Sequence, residues 1–150
     1  MKIVFLTEEY VDAFAAYCRE ALATDEPEHI VYDSVSEEEI RTFLNDPFYQ
    51  GTTSLLAIDD GQVVAQLEYH FYGVSANNYR MAYVNWVYTL KSHRRQGIAK
   101  ALFRRFEEEC RKNNVNQYYL IQDEDAGEFY EHFDGGSVSL SRIRRKNICE

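Results

Sequence analysis

A basic turn followed by the start of a helix is the segment of this chain best suited to chemistry. It covers residues 89–99, TLKSHRRQGIA, between a hydrophobic strand and an amphipathic helix. The first backbone N–H groups of a helix have no acceptor within the helix, and the helix dipole is positive at that end. A phosphate placed there accepts several N–H donors at once. The segment therefore predicts a binding site for a diphosphate group.

Several side chains of this segment suit such an anion. Gly97 lets the backbone come close, Ala99 is small enough to leave room, and three basic side chains supply mobile positive charge. A solvated helix end without a ligand is the alternative, because Arg-rich turns before helices are common. The predicted anion-binding set is Arg94, Arg95, Gln96, Gly97, Ile98, Ala99 and Lys100.

The elements around this segment follow from hydrophobic periodicity and turn signals. A capping box begins at Ser36, and Asp59-Asp60-Gly61 forms a hairpin turn in which the glycine can take positive φ. The predicted elements are a strand at 3–6, a helix with apolar residues from 10 to 22, a short helix between 36 and 47, strands at 53–58, 62–72 and 79–90, a helix with an apolar stripe from 98 to 110, a strand at 117–121, a helix at 126–133 and a strand at 137–143. The order βααβββαβαβ predicts a mixed, mostly antiparallel α/β sheet with helices on both faces.

Length and composition favour one globular domain, spanning residues 1–150. The chain has 150 residues, of which 45% are hydrophobic, with seven Gly and two Pro. No apolar run approaches the roughly 20 residues of a membrane span, and the start does not resemble a signal peptide, so we expect a soluble, cytoplasmic protein. Cys18, Cys110 and Cys149 lack CxxC spacing, and the four His lack an i,i+4 pair. We expect reduced, mostly buried thiols and no metal site.

The charges are distributed unevenly. The net charge is −9, which argues against nucleic-acid binding. Residues 1–60 hold three basic and fourteen acidic side chains, whereas residues 61–150 hold thirteen basic and eleven acidic ones. Half of all Lys and Arg lie in 91–112. An acidic front suits a cationic partner, and an acidic surface that serves only solubility is the alternative.

Two segments together resemble a known family. The hydrophobic strand, Arg94-x-x-Gly97-x-Ala99 and the helix that follows resemble the acetyl-CoA pyrophosphate loop of the GNAT superfamily of N-acetyltransferases. AGEFYE at 126–131 resembles the family's Ala-x-x-x-Tyr-Glu segment, and the predicted element order agrees over essentially the whole chain. Within the superfamily, the loop and the acidic stretch downstream look most like aminoglycoside 3-N-acetyltransferases.

The resemblance implies how acetyl-CoA, the co-substrate, is held. In such enzymes the strand before the loop diverges from its neighbour, and the pantetheine arm bonds to its main chain, here at Val87, Tyr88 and Thr89. The Val87 N–H would stabilise the negative charge that develops on the thioester oxygen. Tyr130 aligns with the family tyrosine that protonates the departing thiolate, which makes it the predicted catalytic residue. Core packing is the alternative role of Tyr130.

The acceptor side of the site is less defined. An amine must lose a proton before it attacks, but the position of the fourth-strand glutamate of some relatives is Tyr83 here, so that base does not carry over. Glu68 is a candidate for contact with the amine, and an ordinary solvent-facing strand residue is the alternative. The predicted substrate-binding set is Glu68, Tyr83, Asn85, Asp123 and Glu124.

The sequence therefore predicts an acetyl-CoA-dependent N-acetyltransferase that acts on a primary amine of a small, cationic molecule, aminoglycoside-like or polyamine-like, in a ternary complex. Acetylation of a protein or peptide amine, and acyl-CoA binding without catalysis, are the alternatives. Asp134-Gly135 stands where the family has Gly-Phe, and the chain ends about one strand later, so a second copy of the chain is a possible partner that completes the acceptor pocket. Neither nucleic acid nor a membrane is an expected partner.

Overall fold

Strands and helices follow one another in the order that the sequence predicts. The computed structural model describes residues 1–27, 30, 32, 35–122 and 127–131. The elements are β1 (Lys2–Phe5), α1 (Val11–Thr24), α2 (Glu37–Asn45), β2 (Thr52–Asp59), β3 (Gln62–Val74), β4 (Tyr79–Thr89), α3 (Ile98–Lys112), β5 (Tyr118–Tyr119) and α4 (Gly127–Glu131). The last predicted strand, 137–143, lies outside the described residues.

The sheet is mixed and mostly antiparallel, as predicted. Its five strands lie in the order β1-β2-β3-β4-β5. The first four pair antiparallel with their neighbours, and β5 runs parallel to β4. Consecutive antiparallel strands need only short connections, whereas the parallel strand β5 is reached through α3.

Two local signals act as the sequence predicts. The Ser36 hydroxyl accepts a hydrogen bond from the Glu39 N–H at 3.2 Å, and the Glu39 carboxylate accepts one from the Ser36 N–H at 2.8 Å, which completes the capping box of α2. Asp60 and Gly61 have φ of 46° and 79°. Positive φ at both central residues defines the two-residue turn whose twist matches a β-hairpin, and it sets the two pairs next to the turn, Asp59 with Gln62 and Ile58 with Val63.

Helices α1 and α3 cover opposite faces of the sheet. On one face, the ring of Tyr17 in α1 packs edge-on against Tyr88 of β4, with centroids 6.2 Å apart. On the other face, Phe106 of α3 packs against Tyr69 of β3 at 4.8 Å. The predicted apolar stripe of α3 is buried from Ile98 to Cys110. Burial of this stripe is what holds the start of α3 against the end of β4.

The chain divides into two compact units, Met1–Leu120 and Ile121–Glu150. The first contains the five strands and α1 to α3. The second contains α4, where the rings of Phe129 and Tyr130 lie 5.0 Å apart, edge to face. Within the described part of the chain, no helix is both long and apolar enough to cross a bilayer.

Candidate functional site

Strand β4 extends well beyond its partner β5, and this part of its edge, here called the open edge, has no other ladder partner among the described residues. The β4–β5 ladder consists of two residue pairs, Ala82 with Tyr118 and Tyr83 with Tyr119. Beyond Tyr83, β4 continues to Thr89 with β3 as its only ladder partner in the described residues. Backbone groups along such an edge can bond to an extended ligand as they would to another strand.

A β-bulge at Asn85 interrupts β4 where the open edge begins. Glu68 of β3 pairs with Trp86, and the next residue, Tyr69, pairs with Val84. Asn85 is therefore the extra residue of the longer strand, and a bulge of this kind re-aims the groups on either side of it.

The bulge decides which N–H groups face the open edge. Before it, the Ala82 N–H donates to the Gln117 carbonyl on the β5 side at 3.1 Å; after it, the Leu90 N–H donates to β3 at 2.9 Å. The N–H groups of a strand point alternately to its two edges, so in an unbroken strand Ala82 and Leu90, which are eight residues apart, would direct their N–H groups to the same edge. They point to opposite edges, so the bulge reverses the alternation. With the reversal, the N–H groups of Val87 and Thr89 face the open edge.

Tyr88, the third predicted main-chain contact, lies between those two residues with its N–H directed at β3. Its carbonyl accepts a hydrogen bond from the buried Tyr17 hydroxyl at 3.1 Å. Burial raises the pKa of Tyr88 to about 12, with a smaller contribution from the Asp25 carboxylate that its hydroxyl contacts. The phenol of Tyr88 is therefore neutral at physiological pH.

The basic turn leads directly from this edge into α3. A 3₁₀ turn at Lys91–His93 follows β4, and Arg95 and Gly97 then take φ of 62° and 79°. Gly97 is the N-cap of α3 and has no side chain to cap the helix, and the first turn contains no acidic residue. No side chain of the described residues bonds to the N–H groups of this turn. The helix end thus keeps free donors for an anion.

Arg94 is anchored rather than mobile, which differs from the expectation for the loop cations. Its Nε donates to the Thr89 carbonyl at 3.1 Å, one terminal nitrogen is paired with the Asp25 carboxylate, and the guanidinium lies 5.3 Å from the centroid of the Tyr88 ring. Lys91 Nζ approaches the same carboxylate at 3.9 Å. The side chain of Asp25 is 1% exposed.

Arg95 and Lys100 are the loop cations that remain available. Both are exposed, and neither has an ion-pair or hydrogen-bond partner among the described residues. Both flank the uncapped end of α3. An anion there would meet two unpaired positive charges and the free N–H groups of the first helical turn.

The face of the sheet on the α1 side carries a chain of polar side chains next to the bulge. Gln66 donates to the Ser54 hydroxyl at 3.0 Å and accepts from the Tyr32 hydroxyl, which itself accepts from the Trp86 indole at 2.8 Å. Burial raises the pKa of Tyr32 well above its usual range, so its phenol remains a neutral donor.

A second group of polar side chains includes the bulge residue itself. Asn85 Nδ2 donates to Glu68 Oε1 at 3.1 Å, and Asn85 Oδ1 lies 2.8 Å from His70 Nδ1. The His70 ring packs edge-on against Tyr83 at 5.6 Å. The structure thus brings three predicted substrate contacts, Glu68, Tyr83 and Asn85, together around His70.

Asp25 and His70 belong to the site although the sequence patterns indicate neither of them. Alternation could have grouped Gln66, Glu68 and His70 on one face of β3, since they are two residues apart, but no local signal pairs Asp25 with Arg94. Tyr130 lies half-buried in α4, in the second unit. Its catalytic role stays a prediction, and Asp123 and Glu124 lie outside the described residues.

The described residues contain no group of three or more His, Cys, Asp or Glu side chains that could hold a metal ion. Cys18 and Cys110 are buried free thiols, as expected, and Cys149 is outside the described part.

Comparisons with known proteins agree on one family. Residues 2–136 match the family described as acetyltransferase (GNAT) domain. No curated protein matches the sequence.

Solved structures show the same fold at low sequence identity. A ribosomal-protein-alanine N-acetyltransferase from Brucella melitensis biovar Abortus 2308 superposes with a TM-score of 0.72 at 19% identity, over 97% of this chain and 100% of that one. An aminoglycoside acetyltransferase from an uncultured soil metagenomic sample, in complex with sisomicin, gives 0.74 at 16% identity, over 97% and 95%. A predicted acetyltransferase from Clostridium acetobutylicum, with acetyl-CoA, gives 0.67 at 15% identity, over 96% and 95%.

Proposed function

The chain belongs to the GNAT acetyltransferase family, whose members use acetyl-CoA, and we propose that it transfers the acetyl group to a primary amine of a small, cationic molecule. The observation that carries this proposal is the bulge at Asn85, which turns the Val87 and Thr89 N–H groups to the open edge of β4. The same strand leads into the basic turn and the uncapped end of α3. From β4 to α3 the chain therefore offers main-chain N–H donors along the strand edge, followed by a proposed anion site at the start of the helix.

The residues present fit acetyl-CoA along this path. The open edge of β4 would bond to the amide groups of the pantetheine arm, as an added strand would. The N–H groups at the start of α3, with Arg95 and Lys100, would hold the pyrophosphate. When bound, acetyl-CoA supplies an acetyl group that is activated as a thioester.

Arg94 contributes to this site mainly through the shape of the loop. Its bonds to the Thr89 carbonyl and to Asp25 tie the turn to the end of β4 and to the residue after α1. A fixed turn presents its N–H groups without an ordering cost at the moment of binding. The Val87 N–H lies on the open edge, and we propose that it donates to the thioester oxygen, which gains negative charge during transfer.

A cationic amine is the acceptor that the polar face of the sheet supports best. Glu68 lies half-buried beside the bulge and gives this face a negative charge, which favours an ammonium group nearby. The first 60 residues carry fourteen acidic and only three basic side chains, which favours the approach of a cation. The acceptor proposed is accordingly a polyamine-like or aminoglycoside-like molecule.

The test is release of free thiol from acetyl-CoA with a panel of acceptors, namely spermidine, kanamycin, a monoamine and a short peptide with an N-terminal alanine. Thiol release that depends on spermidine or kanamycin, with an acetylated amine in the product, supports the proposal. Release with the peptide alone would replace the small-molecule acceptor by a peptide. Binding of CoA without amine-dependent thiol release would identify a binding module and overturn the proposal.

A further inference from the structure

We propose that His70 is the general base that deprotonates the acceptor amine, and that Asn85 and Glu68 are positioning residues that orient its imidazole. This inference rests on the proposed function, since it assumes an amine acceptor. It deepens that function by assigning the proton acceptor that the sequence alone does not identify.

Hydrogen bonding fixes which nitrogen of His70 carries the proton. The Glu68 carboxylate can only accept, so the Asn85 group that lies 3.1 Å from Glu68 Oε1 must be the NH₂. The carbonyl oxygen of the Asn85 amide then faces His70 Nδ1 at 2.8 Å, and this nitrogen must donate. The proton of the neutral imidazole is therefore on Nδ1, and Nε2 keeps a free lone pair.

His70 Nε2 is available to a ligand. It has no hydrogen-bond partner among the described residues, and the side chain is half-buried rather than enclosed. The rings of Tyr72 and Tyr83 flank the imidazole, with centroids 5.8 Å and 5.6 Å away. These contacts and the bond to Asn85 hold the imidazole in one orientation, as a base requires.

The imidazole also lies at the point where the sheet opens. His70 pairs with Tyr83 of β4, and the two rings are in contact. Tyr83 in turn forms the last β4–β5 pair, with Tyr119. Asn85, which His70 bonds to, is the bulge that separates this pair from the open edge. His70 thus bonds directly to Asn85, the bulge residue that turns the Val87 N–H toward the proposed thioester site.

Glu68 is less suited to the role of base because its oxygens are engaged. Oε1 accepts from Asn85 Nδ2, and Oε2 lies 3.4 Å from the Ser54 hydroxyl. A carboxylate in that position orients the amide and balances the positive charge that His70 gains when it accepts a proton. Among the described residues, the other titratable groups near this cluster are Tyr72 and Tyr83 on the flanks, Tyr119 behind them, and Tyr32, whose phenol interacts with the charge of Glu68.

The acceptor's ammonium loses one proton to His70 Nε2, which later passes it to solvent. The neutral nitrogen forms a C–N bond to the acetyl carbon as the C–S bond breaks. The second proton of the nitrogen is released as the departing sulfur gains one, so the whole reaction delivers one proton to solvent.

The experiment compares the wild type with His70→Gln over pH 6.5–9.5, using whichever panel amine the wild type acetylates. At pH 7 the acceptor is almost wholly protonated, and we expect kcat/KM to fall about 100-fold or more without the base. As pH rises, the neutral amine forms in solution, so kcat/KM of the variant should rise about tenfold per pH unit and approach the wild type. CoA affinity, measured by calorimetry, should not change.

A ratio of wild type to variant that is constant over pH would overturn the assignment, because a merely structural defect does not depend on the protonation of the acceptor. Asn85→Ala is the second variant, with a smaller loss at pH 7 and the same recovery at high pH expected, and it serves alone if His70→Gln fails to fold. Phe71→Tyr, next to His70 in β3 but on the opposite face, is the matched control and should keep wild-type activity. Full activity of His70→Gln overturns the inference and leaves the proposed function intact, whereas a wild type that acetylates no amine of the panel overturns both.

Discussion

Arg94 and Asp25 form an ion pair that joins the turn before α3 to the residue that follows α1, across 69 positions of sequence. Asp25 is almost completely buried, with 1% of its side chain exposed, whereas the Arg94 side chain is 41% exposed. The Tyr88 hydroxyl donates to the same carboxylate at 2.8 Å. A buried carboxylate held by a cation is costly to leave unpaired, so this pair fixes the conformation of the loop.

Arg94→Ala should destabilise the protein more than the loss of an exposed arginine would. We expect a decrease of about 2 kcal/mol in the free energy of unfolding, because Asp25 stays buried with one cation fewer. The double variant Asp25→Asn/Arg94→Ala also removes the buried carboxylate charge, so it should regain part of the stability that Arg94→Ala loses. A double-mutant cycle by urea unfolding measures the coupling, expected to be at least about 1 kcal/mol, and additive effects would contradict a coupled pair.

Gly97→Asp should weaken CoA binding at least tenfold, since it places a carboxylate at the anion site beside the first turn of α3. Gly61→Asp is the matched control: it has the same φ of 79° and equally open space for a Cβ, but it lies in the β2–β3 turn. Both variants should lose a similar amount of stability, roughly 1 kcal/mol, from the left-handed backbone. Calorimetric titration with CoA separates them, and equal affinities would remove the loop from the cofactor site.

Tyr130→Phe should lower kcat at least tenfold with little change in acetyl-CoA affinity, because it deletes the proposed proton donor to the thiolate and keeps the ring. Tyr10→Phe, at a residue whose hydroxyl contacts Lys2 at 3.5 Å, is the control and should behave as the wild type. The measurement is kcat over pH 6–9 under conditions where the chemical step limits turnover. An unaltered kcat would leave Tyr130 without a catalytic role.

Alkaline pH should destabilise the fold through its buried thiols. Burial raises the pKa of Cys18 from 9.0 to about 12 and that of Cys110 from 9.0 to about 11. The thiols ionise at lower pH in the unfolded chain than in the folded protein. The stability that the buried neutral thiols contribute to the folded state is therefore complete below pH 9 and is lost as pH rises toward 11–12.

The comparison that isolates one thiol is the wild type against Cys18→Ala, measured by urea unfolding from pH 8 to pH 10.5. The free energy of unfolding of the wild type should fall more steeply with pH, by a difference that approaches about 1.4 kcal/mol per pH unit. Burial raises the pKa of Tyr17 and of Tyr32, the tyrosines that interact with Cys18, well above their usual range, so in both folded proteins these two phenols stay neutral over the pH range of the measurement. Parallel curves would show that Cys18 does not titrate differently in the two states.

Much of the fold is determined by short stretches of sequence. The Ser36–Glu39 capping box, the positive φ of Asp60 and Gly61, and the apolar stripe of α3 all depend on residues within a few positions of one another. Their physics is local, because hydrogen bonds and backbone sterics within a turn or cap do not require the rest of the chain. The loop proposed to bind the pyrophosphate is also specified locally, since it needs only a strand end, a basic turn and a helix start.

Three features near that loop depend on tertiary structure alone: the bulge in β4, the ion pair of Arg94, and the hydrogen bonds of His70. The bulge at Asn85 exists because the register of β3 against β4 shifts by one residue, and a register is a property of two strands. Asp25 meets Arg94 only because α1 packs across the strand that leads into the turn. The His70–Asn85–Glu68 chain likewise depends on strand pairing, whose partners are separated in sequence by 15 and 17 positions and carry no periodic signal of their contact.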